Sequence, residues 1–249
     1  MSQIVRGPFL VLRTIDYSET SQVLRLFTGP TGKIGAIAKG SKRLKGSFQG
    51  AFDLFAHYEG VWIEKGEGRL DLLTSAALRE DFGRARTDLH SLYAASYISE
   101  FIEELTPEGQ AHRELFDLAL GTLRRLDSGR PVASEIFLFE ARALRLLGVF
   151  PRLLECGMCR GRITQTEAFF SLRDGGAICV KCRPRDSGYF TIGTRVLYAL
   201  HHLQSSEAPS VEALAPVRDD LRFVLDHYVR HVAERTLKTA RFLQEACRG

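Results

Sequence analysis

The first eighty residues alternate apolar and polar positions in short runs, with the period of two that is typical of half-buried strands. Turn residues separate the runs, among them Gly29, Pro30 and Gly32 in one turn and Gly66 and Gly68 in another. The predicted strands cover residues 8–15, 22–28, 33–38, 52–63 and 70–78. Five short strands predict a small closed barrel, with an OB-fold as the leading candidate and an SH3-like barrel as its competitor.

The pattern changes to a helical period after Glu80. Helices are predicted over residues 87–105, from Leu115 to Leu126, between Pro131 and Gly148, and over residues 191–204 and 217–244. In the last of these, one apolar stripe runs from Leu221 to Leu243. We therefore expect an α+β multidomain protein with a barrel at 1–80, a helical domain at 81–150 and 191–249, and a cysteine-bearing insert at 151–190.

The composition is that of a folded globular protein rather than of a disordered or collagen-like chain. Of the 249 residues, 45% are hydrophobic and 26% are charged. The apolar runs are too short to span a bilayer, and the N-terminal residues lack the basic and apolar regions of an export signal. These features predict a cytoplasmic protein.

Positive charge is concentrated in two regions of the chain. Residues 1–52 contain eight lysines and arginines against two acidic residues, and residues 151–190 contain seven against four, although the whole chain carries only +4. Such clusters are typical of proteins that bind polyanions, but basic loops are also often only solvated. The interpretation as a nucleic-acid surface predicts DNA contacts at Arg25, Lys33, Lys39, Lys42, Arg43, Lys45 and Phe48, with Phe48 as the aromatic residue that stacks on a base. Secondary contacts are predicted in the cysteine region at Arg160, Arg162, Lys181, Arg183 and Arg185.

Four of the five cysteines have the spacing of a structural zinc site. Cys156 and Cys159 form one C-x2-C pair, Cys179 and Cys182 form another, and nineteen residues separate the pairs. The intervening residues predict a hairpin with strands at 168–172 and 177–179, which would bring the two pairs together. The alternatives are two disulfides or a single redox-active pair. Neither agrees with a reducing compartment and with this spacing as closely as a zinc site does. We expect these four thiolates to bind one structural Zn²⁺, and the remaining Cys247 to be a free thiol.

No motif for catalysis or nucleotide hydrolysis is complete. The glycine-rich residues 35–42 resemble a P-loop but end in Ser-Lys where Lys-Ser or Lys-Thr is required. One helical face carries His227, His231 and Glu234. Such a group is more often a partly buried histidine pair than a metal site. There is no nucleophile elbow. The sequence therefore favours a binding protein without ATPase or other enzymatic activity.

The order and spacing of short motifs resemble the RecO family of bacterial recombination mediators over nearly the whole chain. The matching residues are Val11-Leu12-Arg13, Asp16-Tyr17-Ser18-Glu19, Leu26-Phe27-Thr28, Gly32, Lys39-Gly40-Ser41-Lys42-Arg43, Tyr228, His231, Leu237-Lys238-Thr239 and Arg241-Phe242-Leu243. The four cysteines match the zinc-bearing members of the family. This resemblance implies an N-terminal OB-fold, a helical domain and a zinc-finger insert.

The same resemblance implies a function in DNA repair in the bacterial cytoplasm, in association with the nucleoid. It implies binding to single- and double-stranded DNA and annealing of complementary strands without ATP. It also implies complexes with RecR and with the tail of single-stranded DNA-binding protein, and help in loading RecA on coated strands. These roles belong to the family and are not worked out from the composition or the spacing of this chain.

Two other functions remain open from the residues alone. A zinc-stabilised protein–protein adaptor would have the same cysteine pattern, and its basic barrel would be incidental. A metal-dependent nuclease would need a cluster of acidic residues and histidines that this sequence does not provide. Phosphate contacts release counterions, so the affinity of a nucleic-acid-binding protein for DNA falls steeply with salt. This salt dependence separates such a protein from the adaptor.

Overall fold

A computed structural model describes residues 3–43, 48, 50–66, 68–183, 188–205 and 210–246. Its first five strands are β1 (Ile4–Asp16), β2 (Gln22–Thr28), β3 (Gly32–Ala38), β4 (His57–Ile63) and β5 (Asp71–Glu80). They close into a barrel in the order β1-β2-β3-β5-β4, with β3 and β5 parallel and the other pairs antiparallel. This order confirms the predicted OB-fold.

The barrel closes because β1 is long enough to pair with two neighbours. Residues 4–10 of β1 pair with β4, and residues 9–16 pair with β2. Inward-facing side chains from every strand, such as Phe9, Leu26 and Trp62, are fully buried in the core. The strand predicted at 52–63 begins only at His57, because Phe55 has a left-handed backbone (φ 65°) that interrupts an extended conformation.

Two compact units divide the described chain, one formed by residues 1–129 with 237–246 and the other by residues 130–236. In the barrel unit, the strands are followed by α1 (Arg84–Thr87), α2 (Leu89–Leu105) and α3 (Arg113–Asp127), and the chain returns for α8 (Ala240–Ala246). The Asp88 side chain caps α2 by accepting a hydrogen bond from the Ser91 amide at 2.8 Å. Helix α2 ends at Leu105, before Pro107, as the sequence predicts.

The second unit, which we call the cysteine unit, surrounds a three-stranded sheet with helices. Its elements are α4 (Val132–Leu146), β6 (Glu167–Ser171), β7 (Gly176–Ile178), β8 (Tyr189–Gly193), α5 (Thr194–Leu203), α6 (Val211–Leu214) and α7 (Arg218–Ala233). The sheet order is β7-β6-β8, and both strand pairs are antiparallel. Strands β6 and β7 form the hairpin that the sequence predicts between the cysteine pairs.

The sequence-based helices differ from the structure in two places. The prediction of a helix over 191–204 is wrong for its first three residues, which belong to β8 and pair with β6. The single helix predicted over 217–244 is also wrong, because α7 stops at Ala233 and Glu234 takes a left-handed conformation (φ 54°). The predicted apolar stripe therefore divides between the units: Leu221 lies in the cysteine unit and Leu243 in the barrel unit.

The compact units also divide the predicted helical domain at 81–150. Helices α1, α2 and α3 belong with the barrel, whereas α4 belongs with the cysteine-bearing strands. No helix in the described part of the chain is both long enough and apolar enough to cross a membrane.

Candidate nucleic-acid interface and metal centre

Two segments at one end of the barrel are joined by hydrogen bonds, and the second of them carries exposed positive charge. Residues 17–21 connect β1 to β2, and residues 39–43 follow β3. The Lys42 amide donates to the Thr20 carbonyl at 3.1 Å, and the Gly40 amide donates to Ser21 Oγ at 3.1 Å. Lys42 Nζ also forms a 2.5 Å ion pair with Asp16 Oδ2. These contacts fix the backbone from which the side chains of residues 39–43 project.

We call Lys39, Lys42 and Arg43 the basic edge. The Lys39 and Arg43 side chains are exposed, and Lys42 is partly exposed beside Asp16. Arg43 is held at the start of its loop, since its amide donates to the Gly40 carbonyl at 3.1 Å. The predicted contact Lys45 lies outside the described residues. The structure therefore brings together three of the predicted cations at one edge of the OB barrel.

Arg25 and Lys33, which the sequence analysis assigns to DNA, hold the barrel to the end of α2. Lys33 is only 5% exposed, and its ammonium donates to the main-chain carbonyls of Glu103 and, at 2.7 Å, of Thr106. Burial lowers the pKa of Lys33, and the nearby Glu103 carboxylate opposes that shift. A side chain in this position cannot reach a phosphate, so the prediction for Lys33 is wrong.

Arg25 is occupied by two carboxylates of the same segment. Its guanidinium donates to Glu103 Oε1 at 2.8 Å and to Glu108 Oε1 at 2.7 Å. Partial burial acts to lower the pKa of Arg25, but hydrogen bonds to the two carboxylates outweigh it and the net pKa is raised. A phosphate approaching Arg25 would be repelled by both acids, so Arg25 is corrected to a structural residue.

Phe48 is a core residue rather than a surface on which a base can stack. Its side chain is 5% exposed, and its ring packs edge-on against Phe52 with ring centroids 5.3 Å apart. Residue 48 follows the basic loop in sequence, but its apolar ring turns into the barrel because burial of an aromatic side chain stabilises the fold. The stacking role predicted for Phe48 is therefore wrong.

The four clustered cysteines form the second candidate site. Their sulfur atoms all lie within 4.8 Å of one another, and Cys159 Sγ is 3.8 Å from Cys179 Sγ. Tetrahedral zinc with Zn–S bonds of about 2.3 Å requires sulfur atoms about 3.8 Å apart. A disulfide requires about 2.05 Å, and none of the four is disulfide-bonded. The donor set and its dimensions therefore fit a tetrahedral metal ion.

Local backbone geometry explains how each C-x2-C pair turns its sulfurs inward. After the first pair, Arg160 takes a left-handed conformation (φ 61°), and its amide donates to the Cys156 carbonyl at 2.9 Å. The second pair begins a 3-10 turn in which the Cys182 amide donates to the Cys179 carbonyl at 3.0 Å. The Gly157 amide donates to the Ala177 carbonyl at 2.9 Å and joins the two turns.

The four thiols affect one another's ionisation. Burial acts to raise the pKa of Cys156, but backbone amides of residues 158, 159 and 179 stabilise its thiolate and lower the pKa to about 6. Hydrogen bonds with Cys159 and Cys179 raise the pKa of Cys182 to about 12. Several thiolates this close repel one another unless a metal ion neutralises them. Among the described residues, this is the one group of histidine, cysteine and acidic side chains with such geometry.

The secondary DNA contacts predicted from the sequence lie around this cluster. Arg160, Arg162 and Lys181 are exposed. Arg183 is exposed as well, but it donates to the Tyr189 hydroxyl at 3.1 Å and lies over the Phe169 ring. Arg185 lies outside the described residues. The described cations are therefore available to solvent on the cysteine unit, and their role in DNA binding stays a prediction.

The cysteine unit also contains an open cleft of about 910 Å³ that the sequence analysis missed. Its apolar wall includes Phe150, Leu172 and Val232. Its charged side chains are predominantly basic: Arg152, Arg173, Arg230, His231, Glu234 and Arg235. The basic residues between Arg230 and Arg235 were a signal in the sequence that could have indicated this cleft. Only the fold places them in one cleft with Arg152.

Comparisons with known proteins agree over most of the chain. Residues 1–82 match the family model described as "Recombination protein O N terminal", and residues 86–241 match "Recombination protein O C terminal". A DNA repair protein RecO of Rhodopirellula baltica is 41% identical over 199 residues, which are 79% of this chain and 73% of the relative.

Two further relatives cover almost the full length. A DNA repair protein RecO of Anaeromyxobacter sp. strain K is 34% identical over 95% of this chain and 94% of its own. The protein of the same description from Bacillus pumilus is 28% identical over 97% of this chain and 94% of its own. With both domain models matched in order and relatives aligned over the barrel and the cysteine unit, the chain belongs to the RecO family of DNA repair proteins.

Proposed function

We propose that this protein binds single- and double-stranded DNA, anneals complementary strands without ATP, and helps load recombinase on strands coated by single-stranded DNA-binding protein. The observation that carries the proposal is the basic edge, which exposes Lys39 and Arg43 at one end of an OB barrel on a hydrogen-bonded backbone, with Lys42 partly exposed between them. OB-folds bind oligonucleotides with the loops and strand faces at this part of the barrel. Its place in the cytoplasm, in association with the nucleoid, is part of the same proposal.

Annealing by this protein requires no covalent chemistry. Two complementary strands repel each other through their phosphates, and a surface that neutralises some of that charge lowers the repulsion. A protein that holds both strands also raises their local concentration. The basic edge and the cations around the cysteines, Arg160, Arg162, Lys181 and Arg183, lie on different compact units and supply two surfaces for these contacts.

We further propose that the four cysteines hold one structural Zn²⁺. The 3.8 Å sulfur separation and the all-thiolate donor set support zinc. Iron is the other metal that tetrahedral thiolate sites bind. The ion would neutralise the thiolates and fix the two turns that carry Cys156 and Cys179. Because all four positions of the tetrahedron are taken by protein ligands, its contribution would be to folding rather than to hydrolysis.

The proposed protein partners are RecR and the acidic, apolar-ended tail of single-stranded DNA-binding protein. The cleft in the cysteine unit supports the second of these, because it combines Arg152 and Arg230 with apolar side chains such as Phe150 and Val232. The tail's carboxylates would pair with the arginines, and its apolar end would be buried against the wall. Arg230→Ala should weaken binding of a labelled tail peptide, whereas Arg195→Ala, on the exposed side of α5, should not.

The function is tested by annealing of labelled complementary oligonucleotides with and without the coating protein and ATP. We expect annealing faster than the spontaneous rate, the same rate with and without ATP, and inhibition by high salt. If the protein binds the tail peptide but never accelerates annealing, the proposal fails and the protein–protein adaptor remains.

A further inference from the structure

A row of apolar side chains crosses the outer surface of three barrel strands. The strand register places Ile15 of β1 beside Val23 of β2, and Val23 beside Ile37 of β3. Directly paired residues share a face, and the neighbouring positions Leu24 and Ala36 point into the core, so these three side chains point outward. Ile15 is 49% exposed, and Val23 and Ile37 are half-buried. The row is therefore only partly covered within the described barrel unit, and Ile15 is its most exposed member.

Tyr17 stands at the end of this row, in the turn between β1 and β2. Its side chain is 69% exposed, one of the highest values among the large hydrophobic residues of the described chain. The turn is tight, because the amides of Tyr17 and Ser18 both donate to the Ser21 carbonyl, at 3.0 and 3.2 Å. A rigid turn thus presents an aromatic ring to solvent without using it in the core.

Both sides of the row carry charged groups, but only one carries the exposed cations of the basic edge. On the other side, the exposed Arg13 lies opposite Arg25 in the strand register, and Glu103 and Glu108 pair with Arg25. On the side of the basic edge, Lys39 and Arg43 are both exposed, and the Asp16 carboxylate is paired with Lys42. Glu103 and Glu108 offset the charges of Arg13 and Arg25, whereas Lys39 and Arg43 keep positive charge at the basic edge, to which a phosphate backbone is attracted.

We infer that Tyr17 is a base-stacking residue, and that the apolar row beside it supports the bases of a single strand whose phosphates follow the basic edge. This inference rests on the proposed DNA binding and adds the surface that distinguishes single strands from duplexes. Bases in a single strand are available to stack on an aromatic ring, whereas those in a duplex are already stacked on each other. Stacking of this kind requires no particular base, so the surface binds without sequence preference.

From the sequence, only Phe48 is predicted to stack on a base, and Tyr17 is not among the predicted contacts. A signal was present, since a tyrosine in a short polar turn between two strands has few neighbours on which to pack. Only the structure shows that the turn is hydrogen-bonded to the segment that carries Lys39 and Arg43.

The test compares Tyr17→Ala and Tyr17→Phe in the full chain, with an oligonucleotide of about 15 thymidines and a duplex of the same length. Removing one stacked ring should weaken single-strand binding by about 5- to 150-fold. Tyr17→Phe keeps the ring and should bind like the original protein. The slope of affinity against salt should be unchanged in both variants, because no phosphate contact is removed. Tyr198→Ala, which removes an exposed tyrosine from α5 of the cysteine unit, is the matched control.

The results separate failure of this inference from failure of the proposed function. If the original protein binds the single strand with steep salt dependence and Tyr17→Ala binds equally well, the stacking role is refuted and DNA binding stands. The stacking role is also refuted if Tyr17→Ala weakens duplex and single-strand binding equally, since the ring would then act through the shape of the turn. If the original protein binds neither nucleic acid, the proposed function itself is wrong.

Discussion

The barrel closes around fully buried side chains such as Phe9 and Trp62, whereas residues 152–183 of the cysteine unit combine a smaller set of buried side chains, such as Phe170 and Ile178, with four clustered sulfur atoms. In the barrel, the exposed Lys39, Arg43 and Tyr17 are not part of the core. In the cysteine region, the cysteines that form the candidate site are themselves part of the local packing, since Cys156 and Cys179 are buried. Substitutions of these exposed barrel residues should therefore change DNA binding without changing stability. Substitutions of the cysteines should change the stability of the local fold as well.

Loss of the metal should have the largest effect, and it should be confined to the cysteine unit. Zinc binding to small thiolate sites contributes about 10–16 kcal/mol of apparent folding free energy. Cys179→Ser, or removal of the ion by a chelator, should therefore unfold residues 152–183 locally. Hydrogen exchange followed by mass spectrometry should show fast exchange there and unchanged protection in strands β1 to β5.

The remaining cysteine provides the matched control for this prediction. Cys247→Ser changes a thiol outside the C-x2-C pairs and should retain one equivalent of zinc by elemental analysis. Protein purified under reducing conditions with less than about a third of an equivalent of zinc would contradict the zinc assignment. One equivalent of iron would identify a different metal in the same tetrahedral site.

The ion pairs of the two units should also differ in strength. Arg222 pairs with Glu140 through two hydrogen bonds of 2.7 and 3.0 Å, and the Glu140 side chain is fully buried. Arg222→Leu removes two charge-assisted hydrogen bonds from that buried carboxylate and should destabilise the protein by about 3–5 kcal/mol. In the barrel unit, Arg124→Leu breaks a more exposed pair with Glu80 and should cost about 1 kcal/mol or less. Chemical unfolding of both variants measures the contrast, and equal losses would contradict it.

Lys33 tests whether stability and DNA binding separate within the barrel. Lys33→Met keeps the length of the side chain but removes the hydrogen bonds to the carbonyls of Glu103 and Thr106. The free energy of unfolding should fall by about 1.5–3 kcal/mol, because hydrogen bonds to a charged group are lost. The salt dependence of DNA binding should not change. A reduced salt slope in this variant would mean that Lys33 contacts phosphate after all.

The smallest predicted effect is a pH dependence in the barrel unit. Hydrogen bonds from Arg124, together with one from His57, lower the pKa of Glu80 from 4.5 to about 2. Because the pKa is lower in the folded state, the stabilisation is present above pH 4.5 and is lost as the pH falls towards 2. Solvent screening should limit this contribution to about 1 kcal/mol. Unfolding measured across this range should show a weaker pH dependence in Arg124→Leu than in the original protein.

The clustering of the four cysteines could be predicted from the sequence residue by residue, but the surroundings of the barrel cations could not. The spacing of Cys156, Cys159, Cys179 and Cys182 restricts the backbone so strongly that few arrangements other than a shared centre are possible. A lysine in a strand has no such restriction. Lys33 turns to the end of α2, and that contact depends on a helix some seventy residues later in the chain.

Hydrophobic periodicity predicts the strands correctly, but it cannot predict where α7 ends. Alternation along β2 and β3 reflects one buried face, and their predicted and observed bounds agree within one residue. The apolar spacing from Leu221 to Leu243 continues past Ala233, so periodicity alone gives no sign of the break at Glu234. The chain there passes from one compact unit to the other, which is a tertiary feature.

The salt dependence of DNA binding tests the central claim, that the barrel binds DNA through its basic edge. Replacing Lys39, Lys42, Arg43 and Lys45 by alanine removes up to four phosphate contacts, so the slope of log affinity against log salt should fall by as much as about 3 units. The matched variant replaces Arg160, Arg162, Lys181 and Arg183, and it should retain the larger part of the slope. An unchanged slope in the barrel variant, with the loss in the cysteine-unit variant instead, would contradict the account and place the DNA on the cysteine unit.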